Sequence, residues 1–420
     1  MDKQVDICYN AMLGGGMEKY DVVVLGGGMA GVSAAITSAE MGARTALIER
    51  YGYLGGMVTG AYVIALCGIF DGHLGKNRTV RGNFSRITDR AIKEGFAEWT
   101  KWNKPIKRSE GREVTIDPEG LKFVLDSVVL DSGAGLALHS YAMGDDAGNI
   151  RITGKFGQKE LIGKCIIDCT GDADTAEWYN LDYLELSGVT MSLRLGGIDE
   201  KKIALAGHEK KLDISEYKYD EGTFQVYGWR SIRNKSETFN DATHLQGICV
   251  LTGGHETTAE INGRRLAQKV VGDLRKIPGY ENVYVISVGG HIGSRVTRKL
   301  YNQYHLSDAD ENKDFPDSIA IAGNVMVDYG QMKIPYRALL PKGVNNLIYA
   351  GRCIATEHHS YENRRVNFMS YELPRLVGPS MATGEAAGIA AALCADRGYG
   401  FNDIPVTDIQ KEIKKRGGVY

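Results

Sequence analysis

No apolar stretch in these 420 residues reaches the roughly 18 uncharged positions that a membrane-crossing helix needs. The richest run, Ala61 to Phe70, stops at Asp71, and Glu385 interrupts the alanine-rich segment near the C-terminus. Nor is there an excess of charge of one sign: 50 Lys and Arg face 52 Asp and Glu, a formal net charge of −2. That balance argues against nucleic acid or an anionic membrane as the main partner and favours small molecules. The seven cysteines are scattered and include no CxxC pair of the kind that holds zinc or an iron–sulfur cluster, so no metal site is expected. Cys165 and Cys169 fall on one face of an expected strand about 13 Å apart, too far for a disulfide. The first sixteen residues lack the basic start and apolar core of a secretory signal, so the expected compartment is a reducing cytoplasm.

Glycine is abundant: 53 residues, about twice the usual share of roughly 7%. The length implies two or three structural units. Tyr20 to Leu25 has the apolar, β-rich character of a buried parallel strand, and Gly26-Gly27-Gly28-Met29-Ala30-Gly31 follows it directly. A helix of small residues should run to about Met41, with Gly42 at its C-cap, before a second strand from Arg44 to Glu49. Together these make one βαβ unit. Leu13 to Met17 repeats Leu25 to Met29, but only the second copy has a strand before it and a helix after it. Met17 is the expected translational start, which intact mass would check.

The three glycines of the triplet differ in what they permit. Gly26 allows the turn, Gly28 lets backbone approach a pyrophosphate, and Gly31 lets helix and strand pack closely. The helix N-terminus supplies the positive pole, and Glu49 stands where an acid that binds a ribose diol is expected. This pattern suits NAD and FAD equally, since both carry the ADP group.

Farther on, Asp117 to about Gly133 reads as an amphipathic helix with Leu121, Val124, Leu125, Val128 and Val129 on one side. Alternating strands broken at Gly144 to Asn149 and near Gly157, ending in Lys164 to Cys169, predict a β-meander that returns to the first sheet. Residues 180 to 335 change character, with scattered aromatics and one clear helix from about Glu256 to Lys276, as in a second, substrate-facing domain. Asn346 to Ala350 is a buried-type strand and Gly378 to Cys394 a small-residue helix, so the chain returns to its first domain.

With these blocks in place the chain resembles the FAD-dependent oxidoreductases of the two-dinucleotide-binding-domain type. The resemblance spans nearly everything after Met17. It is carried by the glycine triplet, Leu54-Gly55-Gly56-Met57, Asp117-Pro118-Glu119, Asp168 to Asp174, Ile292 to Arg298, Ile334-Pro335-Tyr336-Arg337, Asn346 to Cys353 and Gly384 to Gly388. It implies an α/β fold: a discontinuous Rossmann-like FAD-binding domain with a β-meander, plus an inserted mixed α+β substrate domain. The expected boundaries are an extension at 1–16, FAD-binding parts at 17–60, 116–180 and 341–400, a cap segment at 61–115, the substrate domain at 181–340 and a tail at 401–420.

By the same resemblance, Gly26, Gly28, Gly31 and Glu49, with Arg50 beside it, hold the ADP moiety. Gly56 and Met57 lie along the ribityl and flavin side, and Ala142 touches adenine through its backbone. Thr170 and Gly171 close over the ADP, while Gly351 and Arg352 approach the pyrophosphate and ribitol. Ser380, Met381, Ala382 and Thr383 would present N–H groups to the flavin, where a helix N-terminus stabilises the negative charge of the reduced ring. His358 is the expected acid/base; His359 stands where the family has an acid, and could serve as a covalent flavin attachment point. Arg295, Arg298 and Arg337 suit a substrate carboxylate or carbonyl or, alternatively, interdomain ion pairs. Tyr336 could donate to an oxyanion or merely pack. Residues 361–376 form a longer insertion than the family pattern, and Trp99 to Arg108 is expected as a loop over the active site.

The activity implied is hydride transfer between a small organic substrate and FAD, with an unspecified electron acceptor or donor and with homodimerisation allowed. An electron-transfer subunit working with an iron–sulfur partner, a monooxygenase, and an FAD- or NAD-binding module without turnover remain alternatives.

Overall fold

The computed structural model describes residues 17–71, 77–99, 113–199, 201–202, 216–219, 222–225, 229–230, 238–245, 255–323, 330–357 and 373–420. The extension at 1–16, the loop at 101–108, His358, His359 and most of the 361–376 insertion lie outside these residues.

The chain opens with β1 (Glu18–Leu25), α1 (Met29–Glu40) and β2 (Thr45–Ile48), and β1 pairs in parallel with β2 from Val22↔Thr45 to Leu25↔Ile48. Helix α1 is buried from Met29 to Ser38 because its residues are nearly all small. Next come β3 (Ala65–Leu66), α2 (Asn83–Lys93), β4 (Ala97–Trp99), β5 (Val114–Ile116) and α3 (Pro118–Asp131). Asp117 caps α3 by accepting the Glu119 N–H at 3.1 Å, with Pro118 in the first turn where its missing N–H costs nothing. Strands β6 (Gly135–Ala137), β7 (Tyr141–Gly144), β8 (Asn149–Gly154) and β9 (Gly157–Asp168) complete this part.

The second part has β10 (Tyr183–Gly196), β11 (Glu216–Tyr219), β12 (Gly222–Gln225), β13 (Trp229–Arg230), β14 (Thr238–Leu245), α4 (His255–Leu274), β15 (Tyr284–Val288) and β16 (Gly293–Leu300). The chain closes with β17 (Ser318–Ala322), β18 (Met332–Pro335), β19 (Leu347–Tyr349), α5 (Val377–Arg397) and α6 (Val406–Lys415).

The first sheet is parallel in the order β6-β2-β1-β9-β19, the doubly wound arrangement. Strand β9 does two jobs. Its first half pairs antiparallel with β8 and so ends the meander, while its last residues, Ile166 to Asp168, pair in parallel with β19. Helices α1 and α5 pack closely on each other: a Cβ at Gly384 would overlap the Ala30 carbonyl oxygen, and one at Gly388 would lie 2.5 Å from the Ala34 carbonyl oxygen.

The second sheet is antiparallel in the order β11-β12-β14-β10-β15, with β16 also on β10 and β13 on β14. Met191, Leu193 and Leu195 of β10 face Leu266, Val270 and Leu274 of α4 in a core of their own. The buried cluster of that core runs from Val189 to Ile292. Leu306, Ile319, Ile334 and Leu339 pack into the first core, where β17 lies against α5 and β18 pairs with β17. The same core takes in Ile64, Leu66 and Phe84 from the expected cap segment and Ile409 and Ile413 of α6, where a tail was expected.

A buried tie joins three distant segments. Asn83 donates from Nδ2 to Ser33 O (3.1 Å) and Thr37 Oγ1 (2.8 Å), and its backbone N–H at the start of α2 donates to Glu385 Oε2 (3.1 Å). Arg416 Nε donates to the other oxygen of Glu385 at 3.2 Å.

Candidate functional site

A cavity of about 400 Å³ opens at the carboxyl ends of β1, β2, β9 and β19, where Leu25, Ile48, Cys169 and Ala350 line it. This is where open α/β sheets bind ligands. The glycine turn forms its floor. Gly26 has φ +91°, and a Cβ there would sit 2.6 Å from the Cys169 carbonyl oxygen. Gly31 lies one layer behind, its α-carbon so close to Gly26 that a Cβ would overlap the carbonyl oxygen. Gly28 is different. It is the N-cap of α1, no side chain caps that helix, and a Cβ on Gly28 would meet nothing within 4 Å. The first-turn N–H groups have no partner inside a helix, and Met29 and Ala30 of that turn line the cavity. The loop after β2 closes on the turn: the Gly55 N–H donates to Gly27 O at 2.8 Å, and a Cβ on Gly56 would be 3.0 Å from Gly28 Cα.

Glu49, at the end of β2, accepts the Gly27 N–H (2.6 Å) on one oxygen and the Tyr51 N–H (2.7 Å) on the other. Burial pushes its carboxyl above the usual range, against the pull of those two N–H groups. Beside it Asp172 is buried between Arg352 (2.9 Å), Arg50 (3.5 Å) and the Thr297 hydroxyl (2.8 Å). Burial opposes its ionisation, but Arg352 and Arg50 outweigh that and hold Asp172 below the normal carboxylate range. Asp174 goes the other way. Burial first, then repulsion from Asp172 and Asp168, push it up to about 7 despite Arg50 and Arg298. Its side chain is 42% exposed, so solvent screens part of that push.

Of the expected residues, Gly26, Gly28, Glu49, Arg50, Gly56, Met57, Ala142, Thr170, Gly171, Arg295, Gly351 and Arg352 all line this one cavity. Thr170 is set by Asp168, which accepts both its N–H (2.9 Å) and its hydroxyl (2.7 Å). Gly351, at φ +68°, brings backbone against Ala30 of α1.

Met381 and Ala382 are not on the wall. Helix α5 begins at Val377, Pro379 being tolerated in its first turn, so the Ser380 N–H already bonds Leu376 O at 2.9 Å. Met381 points inward, and its carbonyl accepts the Ser33 hydroxyl (2.8 Å). The end of α5 that meets the cavity is Leu376, Val377 and Ser380. Arg337 is also elsewhere, paired with Asp317 (2.8 Å) and stacked on Tyr304 (4.6 Å). Arg298 pairs with Asp174 (3.2 Å), and Tyr336 is buried with its hydroxyl on Phe401 O (3.0 Å).

Several lining residues carry no local sequence signal. Tyr51 stacks at 4.4 Å on His291, which joins the first unit to the turn before β16. Trp178 and Arg375 are further wall residues, and Asp174 had only its place in the Asp168 to Asp174 block as a signal.

The profile of the FAD dependent oxidoreductase family matches residues 21–413. The chain belongs to that family. No curated protein is similar enough in sequence to be matched. Among solved structures, a geranylgeranyl bacteriochlorophyll reductase-like protein from Thermoplasma acidophilum is 14% identical with a TM-score of 0.50, over 96% of this chain and 84% of that one. A p-nitrophenol 4-monooxygenase from Pseudomonas putida is 11% identical with a TM-score of 0.51, over 95% and 85%. At such identities the likeness shows the fold.

The cofactor of this FAD-dependent oxidoreductase fits what its residues offer. Gly28 leaves room for a pyrophosphate at an uncapped helix N-terminus, and among the described residues Arg352 Nη1 is buried with no hydrogen-bond partner, a donor suited to a phosphate oxygen.

Proposed function

We propose that this oxidoreductase transfers a hydride between FAD and a small organic substrate held between the nucleotide cradle and the inserted unit. The observation that carries this reading is the continuity of the cavity: its wall runs from Gly28 to Thr190 of β10 and to Gly293, Ser294 and Arg295 of β16. A binding module without turnover would have no need of a second unit on the wall of its nucleotide site.

FAD, when bound, supplies two-electron chemistry; the protein supplies position and charge. In this reading Gly26, Gly28 and the start of α1 hold the pyrophosphate, Glu49 the ribose, and Gly56 and Met57 the ring end. Gly171 and Arg352 close the phosphate side. His358, which follows Glu357, gives or takes the substrate proton, while Arg295 orients the substrate.

The test is the visible spectrum of the purified protein before and after denaturation and filtration, then anaerobic titration with small metabolites. Releasable FAD bleached by a substrate and slowly reoxidised by air is the expected result. Stoichiometric oxygen insertion would mean a monooxygenase, copurification with an iron–sulfur protein an electron carrier, and bound flavin that no substrate reduces would refute turnover.

A further inference from the structure

Strand β2 lies between β1, which leads into the glycine turn, and β6, which leads through Ser140 into β7. Glu49 at its end is therefore flanked on one side by that turn and on the other by the approach to β7, where the Ser140 N–H donates to the Glu49 carbonyl at 2.9 Å. On this second side the cavity is lined by Ser140, Tyr141 and Ala142, and by Trp178, the one tryptophan among the described lining residues. Trp178 is half-buried and packs in the same cluster as Ala142. Two features hold it in place. Its backbone N–H donates to the Thr175 carbonyl at 3.0 Å, and Thr175 is itself bound to Asp168 through its N–H (3.0 Å) and its hydroxyl (2.7 Å). Its six-membered ring lies against the backbone of Gly144 at the end of β7, where a Cβ would come within 2.7 Å of two ring carbons. Gly144 is not among the glycines with positive φ, so what it supplies is space for the ring rather than an unusual backbone conformation.

We infer that Trp178 is the platform on which the adenine of FAD stacks. This rests on the reading above, in which the cofactor lies in this cavity with a ribose at Glu49, and adds the residue that receives its base. With the pyrophosphate over Gly28 and the ribose at Glu49, the base continues past the acid to the part of the wall that β7 and Trp178 form. An indole offers a purine a broad apolar face, and stacking of that kind holds a base without a hydrogen bond. The anchoring of Trp178 through Thr175 to Asp168, whose other oxygen fixes Thr170, means that little ordering of the side chain remains to be done when the base arrives.

The test excites the tryptophans of the full-length, FAD-stripped protein at the red edge of their band, where adenine does not absorb. The protein is titrated with ADP and with inorganic pyrophosphate, as wild type, Trp178→Leu and Trp178→Phe. In wild type ADP should quench the emission saturably and pyrophosphate should not. Trp178→Leu should lose that quenching and, by calorimetry, bind ADP about 5- to 150-fold more weakly for the lost stacking, with its pyrophosphate affinity unchanged. Trp178→Phe should also lose the quenching but keep an ADP affinity closer to that of wild type, because an aromatic ring remains. ADP that binds without quenching wild-type emission, quenching that survives in Trp178→Leu, or equal ADP affinity in that variant and wild type would each overturn the assignment. So would a pyrophosphate affinity that falls together with that for ADP, since Trp178 would then support the cradle rather than meet the base. Should the Leu variant not fold, loss of the quenching in the Phe variant with ADP still bound decides in favour, and its persistence against. A wild-type protein that binds neither FAD nor ADP would remove the cofactor placement itself, an outcome distinct from ADP that binds without involving Trp178.

Discussion

Two glycines three residues apart should fail in opposite ways when given the same methyl group. In Gly28→Ala the new Cβ enters open space, and the backbone at φ −65° and ψ 177° is ordinary for alanine. The fold loses only the difference between glycine and alanine as an N-cap, about 1 kcal/mol or less. The melting temperature of the FAD-free protein should therefore fall by less than about 4 °C. FAD affinity should suffer far more. The methyl group occupies the place of a phosphate oxygen, and losing one charge-assisted hydrogen bond at about 1.5–3 kcal/mol weakens binding about 10- to 150-fold. In Gly31→Ala the Cβ overlaps the Gly26 carbonyl oxygen, so α1 must shift off β1. Overpacking of that kind costs about 1–3 kcal/mol of stability before any ligand is considered. Thermal melts of the two apo-proteins and quenching of FAD fluorescence on titration separate the effects. A Gly28→Ala protein that binds FAD within about threefold of wild type would refute the placement of the pyrophosphate over Gly28.

Asn83→Ala should lower stability by about 1–3 kcal/mol, since the residue is 2% exposed and its amide serves Ser33 and Thr37; urea denaturation would read this, with FAD content unchanged. Asp174 has its proton affinity raised by folding, from the ordinary value near 4 to about 7. Its contribution to stability is therefore fully present below about pH 4 and is lost as pH rises through about 7. Melts of the apo-protein across that range should show Asp174→Asn gaining on wild type as pH rises, with the gap level above the upper value; a constant gap would refute the raised pKa. His358→Ala should slow substrate-driven flavin reduction about 10²- to 10⁴-fold while leaving FAD binding intact, as stopped-flow absorbance would show; an unchanged rate would remove His358 from the chemistry.

The β1-α1-β2 unit was legible because its signals are local: an apolar strand, glycines at fixed offsets and an acid at the end of the next strand. The meander and the return of β19 were legible for the same reason. The second sheet was not. Its central strand β10 changes register between Met191 and Ser192 against β14 and between Glu185 and Val189 against β16, and such bulges erase the period-two pattern that marks a strand. The start of α5 was legible to within one residue, expected at Gly378 and found at Val377, but which of its residues meet the cavity, Leu376, Val377 and Ser380 rather than Met381 and Ala382, depends on how α5 packs on α1 and carries no local signal. The stack of Tyr51 on His291 joins residues 240 positions apart, and no local rule reports such a pair. Arg337 matched a family block, yet its guanidinium serves Asp317 and two aromatic rings.

The seam between α1 and α5 has a consequence for how the protein is made. Helix α1 leaves the ribosome hundreds of residues before α5, the helix whose glycines it packs against. At about 5–20 residues per second, that interval is about 20–70 s. Throughout it the small-residue face of α1 lacks that partner, and the edge of β9, once made, waits for β19. The cofactor's cradle is thus completed late in synthesis, and the nascent first βαβ unit is the segment most in need of a chaperone. Ribosome-bound chains halted before residue 377 should bind no FAD, whereas chains extended past α6 should.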